Sequence, residues 1–343
     1  MTKSSRSGLQ QKRVTLRDVA DRAGVSETTA SHVMTGRRYV AEATQQRVLS
    51  VMEELKYRPN QVARSLRARS TSTVAFIVKD IANVSATTSI REAAALLRRR
   101  GFATTMVDSP DEGFSSGLLQ QVVDRLPSGV IFFGQDPEPA AARLLRQASV
   151  PFVVGGLGAA HTGDWDIVYT DQAAAIRRIT AVGLAHSQSR VCFIGGNWDD
   201  EGARTRLKGF TQAIEASRGA LNSRDVQLVP YTVEGGRSAM ANLLSDPPTL
   251  VVCGSDQIAI GAILKAQEAG LRIPQDIEVS GFDNVEASEI IRPSLTTIDA
   301  RLAEQGMICA EMLLQRIELP ESAAQRRELE PRVMERQSMR LSP

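Results

Sequence analysis

The stretch VTLRDVADRAGVSETTASHVMTGRRYVAEATQQRVLSVMEELKYRPNQVARSLRAR, residues 14–69, decides how the remaining chain is to be read. Thr15 with Asp18 three residues on is a capping-box start, and an acid in a first helical turn also suits the helix dipole. Val19, Ala20 and Ala23 then form one apolar face over two turns. Gly24 falls where a tight turn between helices needs a positive φ or close approach. Ser26 caps a second helix, Ser26 to Met34, whose buried face is Ala30 and Val33. The small Ala20 and Ala30 let the two helices cross closely. A glycine at 24 between apolar positions 19, 20, 23, 25, 30 and 33 is the pattern of a helix-turn-helix, whose second helix enters the DNA major groove.

The outward residues of that second helix are Glu27, Thr28, Ser31 and His32. A glutamate can accept from cytosine N4, and a threonine can touch a thymine methyl. The alternatives, solvation or a phosphate contact, stay open for Glu27 and Thr28, and His32 fits a phosphate as well as a base. Arg37 and Arg38, just past the helix, suit phosphates better than bases. Thr44, Val48, Val51, Met52 and Leu55 recur at helical spacing as the floor of a three-helix unit, which Arg58-Pro59 ends. Asn60 can cap a last short helix, Gln61 to Arg67. Two turns alone are marginal in water, so this segment should order only against a partner.

The TLRDVADRAGVSETTASHVMTG run and the PNQVARSL segment together resemble the lactose/galactose repressor (LacI/GalR) family of transcriptional regulators. The resemblance implies that paired hinge helices enter the minor groove, with Leu66 wedging a base step and Arg67 beside it, a known way of kinking a duplex. The expected DNA-binding set is Thr15, Glu27, Thr28, Thr29, His32, Arg37, Asn60, Leu66 and Arg67. One departure is Ala41, where the family commonly has a capping Ser. Its loss weakens a helix start by about 1 kcal/mol.

Bulk properties agree. The 343 residues suggest two or three domains. Residues 1–70 hold 14 Lys/Arg against 6 Asp/Glu, whereas the rest holds 27 against 33, a basic head on an acidic body that points to a polyanion for the head alone. Cys192, Cys253 and Cys309 are scattered and imply neither a disulfide framework nor a metal site. The first residues carry no apolar export signal and no stretch is long enough to span a membrane, so a cytoplasmic, nucleoid-associated protein is expected.

From Thr73 onward, apolar runs alternate with helical segments in two series: 73–78, 103–107, 129–134 and 151–156, then 190–196, 226–232, 249–254 and 277–282. Strands alternating with helices argue for parallel sheets covered on both faces. Two series imply two doubly wound lobes with a cleft at the carboxyl ends of their strands. This α/β body resembles the periplasmic-binding-protein-like sensor of the same family. The expected organisation is a disordered arm (1–12), a helix-turn-helix domain (13–57), a hinge helix (58–70) and an effector-binding body (71–343). Within the body the resemblance implies interleaved lobes, the first about 73–170 and 299–322, the second about 171–297 and 323–343.

Effector-binding candidates are Ser85, Arg206, Arg237 and Asp283. By the resemblance, Arg206 matches an arginine that holds the effector, and Asp283 an effector-binding acid. Asp256 is expected as a helix cap with Ser255 nearer the cleft. The run Asn83-Val84-Ser85-Ala86 lacks the aromatic platforms of many relatives and offers the small hydroxyls of Ser85 and Thr87 instead. Arg237 stands where some relatives have a stacking ring. If it joins Arg206 opposite Asp283, the carbohydrate-like effector is anionic, since guanidinium groups suit phosphate and carboxylate. Trp198 is either a substitute stacking residue or a loop anchor.

An allosteric repressor on a palindromic double-stranded DNA operator is thus the leading reading, and a solute-binding protein of a transport system the alternative. The resemblance implies tetramers where an extra C-terminal leucine heptad segment follows, and this chain ends MERQSMRLSP without that repeat, so a homodimer is expected rather than a tetramer. No GxSxG, P-loop or metal cluster appears, and His32, His161 and His186 are dispersed. The glycines of Gly155-Gly156-Leu157-Gly158 lack a clear following helix. No enzyme activity, cofactor or membrane contact is expected.

Overall fold

The computed structural model describes residues 14–35, 38–57, 71–81, 83–109, 116–156, 163–186 and 190–341. The chain divides into two compact units, Met1–Thr71 and Ser72–Pro343. The hinge helix 61–67 lies outside the described residues, as do Arg37, Asn60, Leu66, Arg67 and His161.

The first unit contains α1 (Leu16–Ala23), α2 (Glu27–Thr35) and α3 (Glu42–Glu54). Thr15 and Asp18 form the reciprocal capping box, and Gly24 takes the left-handed conformation, φ 63° and ψ 40°. Val19, Ala20, Ala23, Ala30, Val48 and Val51 make the buried core of the three helices. Arg22 pairs with Glu54 at 2.6 Å, tying α1 to α3. Ala41 starts α3 with no side-chain cap.

The second unit holds two six-stranded sheets. The strands of the first lobe are β1 (Thr73–Val78), β2 (Ala103–Asp108), β3 (Gly129–Phe133), β4 (Phe152–Gly156), β5 (Asp166–Thr170) and β11 (Arg326–Leu329). Those of the second are β6 (Val191–Gly195), β7 (Val226–Leu228), β8 (Leu250–Cys253), β9 (Glu278–Phe282), β10 (Thr296–Asp299) and β12 (Arg332–Met334). The orders are β11-β5-β4-β3-β1-β2 and β12-β10-β9-β8-β6-β7. Each carries the 2-1-3-4-5 winding whose switch point, between its first and third strands, is a ligand crevice in open α/β sheets. All pairings are parallel except β10 with β12, where the last strand returns antiparallel.

Helices cover both faces. In the first lobe these are α4 (Val84–Arg99), α5 (Ser116–Asp124), α6 (Pro139–Gln147) and α12 (Leu302–Glu318). In the second they are α7 (Gln172–His186), α8 (Glu201–Arg218), α9 (Val233–Leu243), α10 (Asp256–Glu268) and the short α11 (Ala287–Ile290). The central strands β1, β3, β4 and β5 read as continuous buried runs because both faces are covered. The edge strand β2 is mostly exposed and carries threonines.

The expected lobe boundary at 322/323 needs correction. Residues 326–329 pair in parallel with β5, Arg326 opposite Ile167 and Leu329 opposite Thr170, so the chain returns to the second lobe only after Leu329. The physical reason is the buried Asp166: Arg316 grips its carboxylate at 2.8 Å, and the Gln325 N–H donates to it at 2.8 Å, anchoring the start of β11 at this edge. The chain therefore crosses between the lobes three times, after β5, after β10 and after β11. The Thr170 hydroxyl donates to the Ala300 carbonyl at 2.9 Å, pinning the first two crossings together.

Helices α4 and α12 pack closely because one position lacks a side chain. A Cβ on Gly306 would lie 2.0 Å from the Ser89 carbonyl oxygen, a clash with backbone that cannot swing away. Gly306→Ala is expected to destabilise the body by about 1–3 kcal/mol, as overpacking does. Urea unfolding with an unchanged midpoint would count against this contact.

Candidate functional site

In the head, Ser26 precedes α2, and its hydroxyl accepts from the Thr29 N–H at 3.0 Å. It also lies 2.9 Å from the Thr29 hydroxyl. Thr29 is thus already engaged in the cap, as Thr15 is in its own box. Glu27 and Thr28 stand fully out from the helix, while Ser31 and His32 are half-buried. Tyr39 was not among the expected DNA contacts, yet it is 94% exposed just beyond α2. A large aromatic ring left in water next to Arg38 is the signal that could have singled it out.

In the body, residues at the carboxyl ends of the strands enclose a cavity of ≈ 200 Å³. The first lobe contributes Asn83, Ser85 and Ser89, the crossing contributes Thr170 and Gln172, and the second lobe contributes Asp200, Arg206, Tyr231, Ser255 and Asp283. Asn83 caps α4 by accepting from the Ser85 N–H at 2.9 Å, which turns Ser85 toward the cavity mouth. Arg206, on α8, is buried at the base. Its Nε donates to Gln172 Oε1 at 2.8 Å, and a terminal nitrogen donates to the Gly254 carbonyl. The guanidinium lies 4.2 Å over the Phe282 ring and 5.6 Å from that of Tyr231, a cation–π seat. Asp283, at positive φ (110°) directly after β9, faces it at 3.9 Å. Its Oδ1 has no hydrogen-bond partner. Ser85, from the other lobe, lines the same cavity.

Burial alone would lower the Arg206 pKa, but Tyr231, Asp283, Asp200 and Asp256 around it hold the guanidinium above its ordinary value. Burial raises the Asp283 carboxyl despite Arg206 and Ser85. An ion pair joins the lobes, Lys79 after β1 to Asp200 at 3.5 Å, with Asp200 also capping α8 through the Ala203 N–H.

Of the four expected effector residues, Ser85, Arg206 and Asp283 converge on this cavity. Arg237 does not. It lies on α9, paired with Glu268 at 2.7 Å and Glu234 at 3.7 Å, because a glutamate on the neighbouring α10 meets it first. Trp198 is 62% exposed, and neither it nor Thr87 lines the cavity. The aromatic residues that do are Phe133, Phe282 and, six residues before Arg237, Tyr231. The Tyr231 ring packs where a Cβ on Gly196 would be 2.3 Å away, so Gly196 is required to admit it. Ser255 rather than Asp256 caps α10, accepting from the Ile258 N–H. Asp256 instead points inward, accepting from the Val285 N–H at 2.8 Å and the Thr297 hydroxyl. Burial, then the nearby Asp283 charge, push its pKa up to about 8.

Two family models match the chain: "Bacterial regulatory proteins, lacI family" over residues 15–60 and "Periplasmic binding protein-like domain" over residues 181–339. The HTH-type transcriptional repressor PurR of Escherichia coli is 31% identical over 336 residues, covering 96% of this chain and 98% of that protein. The chain belongs to the LacI/GalR family of transcriptional regulators. The same fold is seen in the Lac repressor dimer bound to operator and the anti-inducer ONPF, with a TM-score of 0.83 at 23% identity over 95% of this chain and 99% of that one. The transcriptional regulator CelR in its cellobiose complex matches with a TM-score of 0.69 at 26% identity, over 95% of this chain and 100% of that one. The family's members are regulators, and this chain is a regulator and not an enzyme. Among the described residues no helix is long and apolar enough to cross a membrane.

The raised Asp256 pKa has a measurable sign. Folded Asp256 holds its proton up to about pH 8, whereas the unfolded residue releases it near 3.8, so between these values the native state binds more protons and raising pH costs stability. Asp256→Asn should remove that loss. The Tm of the wild type should fall relative to that of the variant as pH rises from 4 to 8, and parallel curves would refute the assignment.

Proposed function

We propose that this regulator is a repressor that binds a near-palindromic operator as a homodimer and is controlled by an uncharged sugar held between its lobes. The observation that carries the effector reading is the buried Arg206–Asp283 pair at the base of the cavity. Hydroxyls of a sugar can accept from the guanidinium while donating to the open Asp283 Oδ1. The anionic effector expected from the sequence required Arg237 beside Arg206, and Arg237 is spent on Glu268. Arg206 itself is already faced by a carboxylate, which leaves no surplus positive charge for a phosphate. The cellobiose complex of CelR supports the sugar class.

On the DNA side, Glu27 and Thr28 are the base-reading candidates by exposure, with His32 and the exposed Arg38 and Tyr39 beside them. Thr15 and Thr29 contribute through helix ends placed against the backbone. Arg37, Asn60, Leu66 and Arg67 complete the set by family resemblance. Two heads on a two-fold axis match two half-sites. Ligand closure of the lobes then biases whether the paired hinge segments order on DNA.

Calorimetric titration with neutral sugars and their phosphates tests the effector. A neutral sugar should bind, Asp283→Asn should weaken it by about 2–5 kcal/mol as loss of one partner of a buried charge pair does, and Arg237→Ala should leave it unchanged. Tight binding of only the phosphorylated forms, lost in Arg237→Ala, would overturn the uncharged class. For the hinge, footprinting on the chain's own promoter region should show that Leu66→Ala abolishes protection while Tm is retained. Full protection by that variant would remove the wedge.

A further inference from the structure

We propose that the corner of the sensor body bearing Arg98, Arg99, Arg100 and Arg125 is a second DNA-contacting surface, which holds the phosphates of duplex flanking the operator without reading bases. The proposal rests on the DNA-binding reading of the chain and adds a site outside the helix-turn-helix and the hinge.

The placement follows from the sheet. In a parallel sheet every covering helix ends at the edge where the next strand begins. Arg98 and Arg99 close α4, and Arg100 caps it, just before β2. Arg125 follows α5 just before β3. Strand β1 lies between β2 and β3, and its first residues are bonded to both turns: the Ala103 N–H donates to Ser72 at 2.9 Å and the Ser128 N–H to Thr73 at 2.7 Å. Helices α4 and α5 cover opposite faces of this sheet, Leu97 in one core cluster and Leu119 in the other. The four arginines therefore flank, from both sides, the point where the chain arrives from residues 58–70. That stretch itself carries Arg58, Arg64, Arg67 and Arg69.

The local chemistry supports a ligand more than a structural role. All four side chains are exposed. None makes an ion pair or side-chain hydrogen bond with another described residue, although Arg190, Arg206, Arg316 and Arg336 elsewhere in the body do. The one adjacent acid, Asp124, is held by Gln120 at 2.8 Å. Helix C-termini favour cations, which accounts for a basic residue at each end. It gives no reason for four unpaired guanidiniums at one corner. A cluster of this kind suits the regularly spaced phosphates of a duplex, to which arginine binds through its fork.

The test is salt-dependent fluorescence anisotropy of the full chain on a long duplex of arbitrary sequence. Arg98→Gln/Arg99→Gln/Arg100→Gln/Arg125→Gln should lower affinity, and the slope of log K against log salt should become shallower by about 3 per protomer. A control carrying Arg177→Gln/Arg178→Gln/Arg224→Gln/Arg272→Gln changes net charge equally on the second lobe and should keep the wild-type slope. An unchanged slope in the first variant, or an equal loss in the control, overturns the surface. A wild-type chain that binds no duplex would overturn the DNA-binding reading, and this surface with it.

Discussion

Everything the sensor body can do is constrained by its three backbone crossings between lobes. Each is short, and two of them are tied by the hydrogen bond from Thr170 to Ala300. Arg301, in the second crossing, sits at positive φ (59°), with its N–H donating to Asp299 at 2.7 Å. Lobes joined in this way can rotate about the crossings but cannot slide apart, so motion is confined to opening and closing of the cleft. The Lys79–Asp200 ion pair spans that cleft, one residue from each lobe. A ligand in the cavity touches both lobes at once and therefore acts on the one degree of freedom the fold leaves open.

Within the cleft the dominant energetic fact is a buried guanidinium. Taking a charge out of water is costly unless it is paired and hydrogen-bonded. Arg206 meets that cost through Gln172, the Gly254 carbonyl, Asp283 and the Phe282 face. Those partners come from the crossing and from two successive strand ends of the second lobe, those of β8 and β9. The fold therefore fixes the direction of the fork before any ligand arrives, which is the preorganisation that lets a few polar groups select a ligand.

Legibility in the sequence tracked how local the determining physics is. The capping box at Thr15–Asp18, the left-handed Gly24 and the core positions of α1 and α2 follow from residues within one or two turns of each other, and the sequence pattern specifies them. Buried runs such as TVAFIV and GVIFF declared strands because both faces are covered. Strands β5 and β11 were harder. DIVYT opens on a charged residue, and the Asp166 that starts it makes sense only once Arg316, 150 positions later, is seen to hold it. The same limit applied to the cavity. Arg206 and Asp283 could be matched through their motifs, but Arg237 was misplaced because its partner Glu268 lies on another helix. Tyr231 gives no local signal because the space for its ring is made by Gly196, directly after β6 and distant in sequence. Asp256, taken for a cap, is an interior acid for a similar reason: Thr297 and Val285 reach it from distant sequence.

The interleaving also sets an order of assembly. The first lobe needs α12 and β11, residues from Leu302 to Leu329, whereas the second lobe has all but its last short strand by Asp299. Ile131, Phe133, Val153 and Val168 share a core cluster with Cys309, Ala310 and Leu313 of α12. During synthesis from the N-terminus, that face of the first lobe is covered by α4 alone until the chain has passed Leu313. The lobe made first thus receives its last helix only after most of the second lobe has been made. For several seconds on the ribosome, at about 5–20 residues per second, it presents an apolar sheet face of the kind that chaperones recognise.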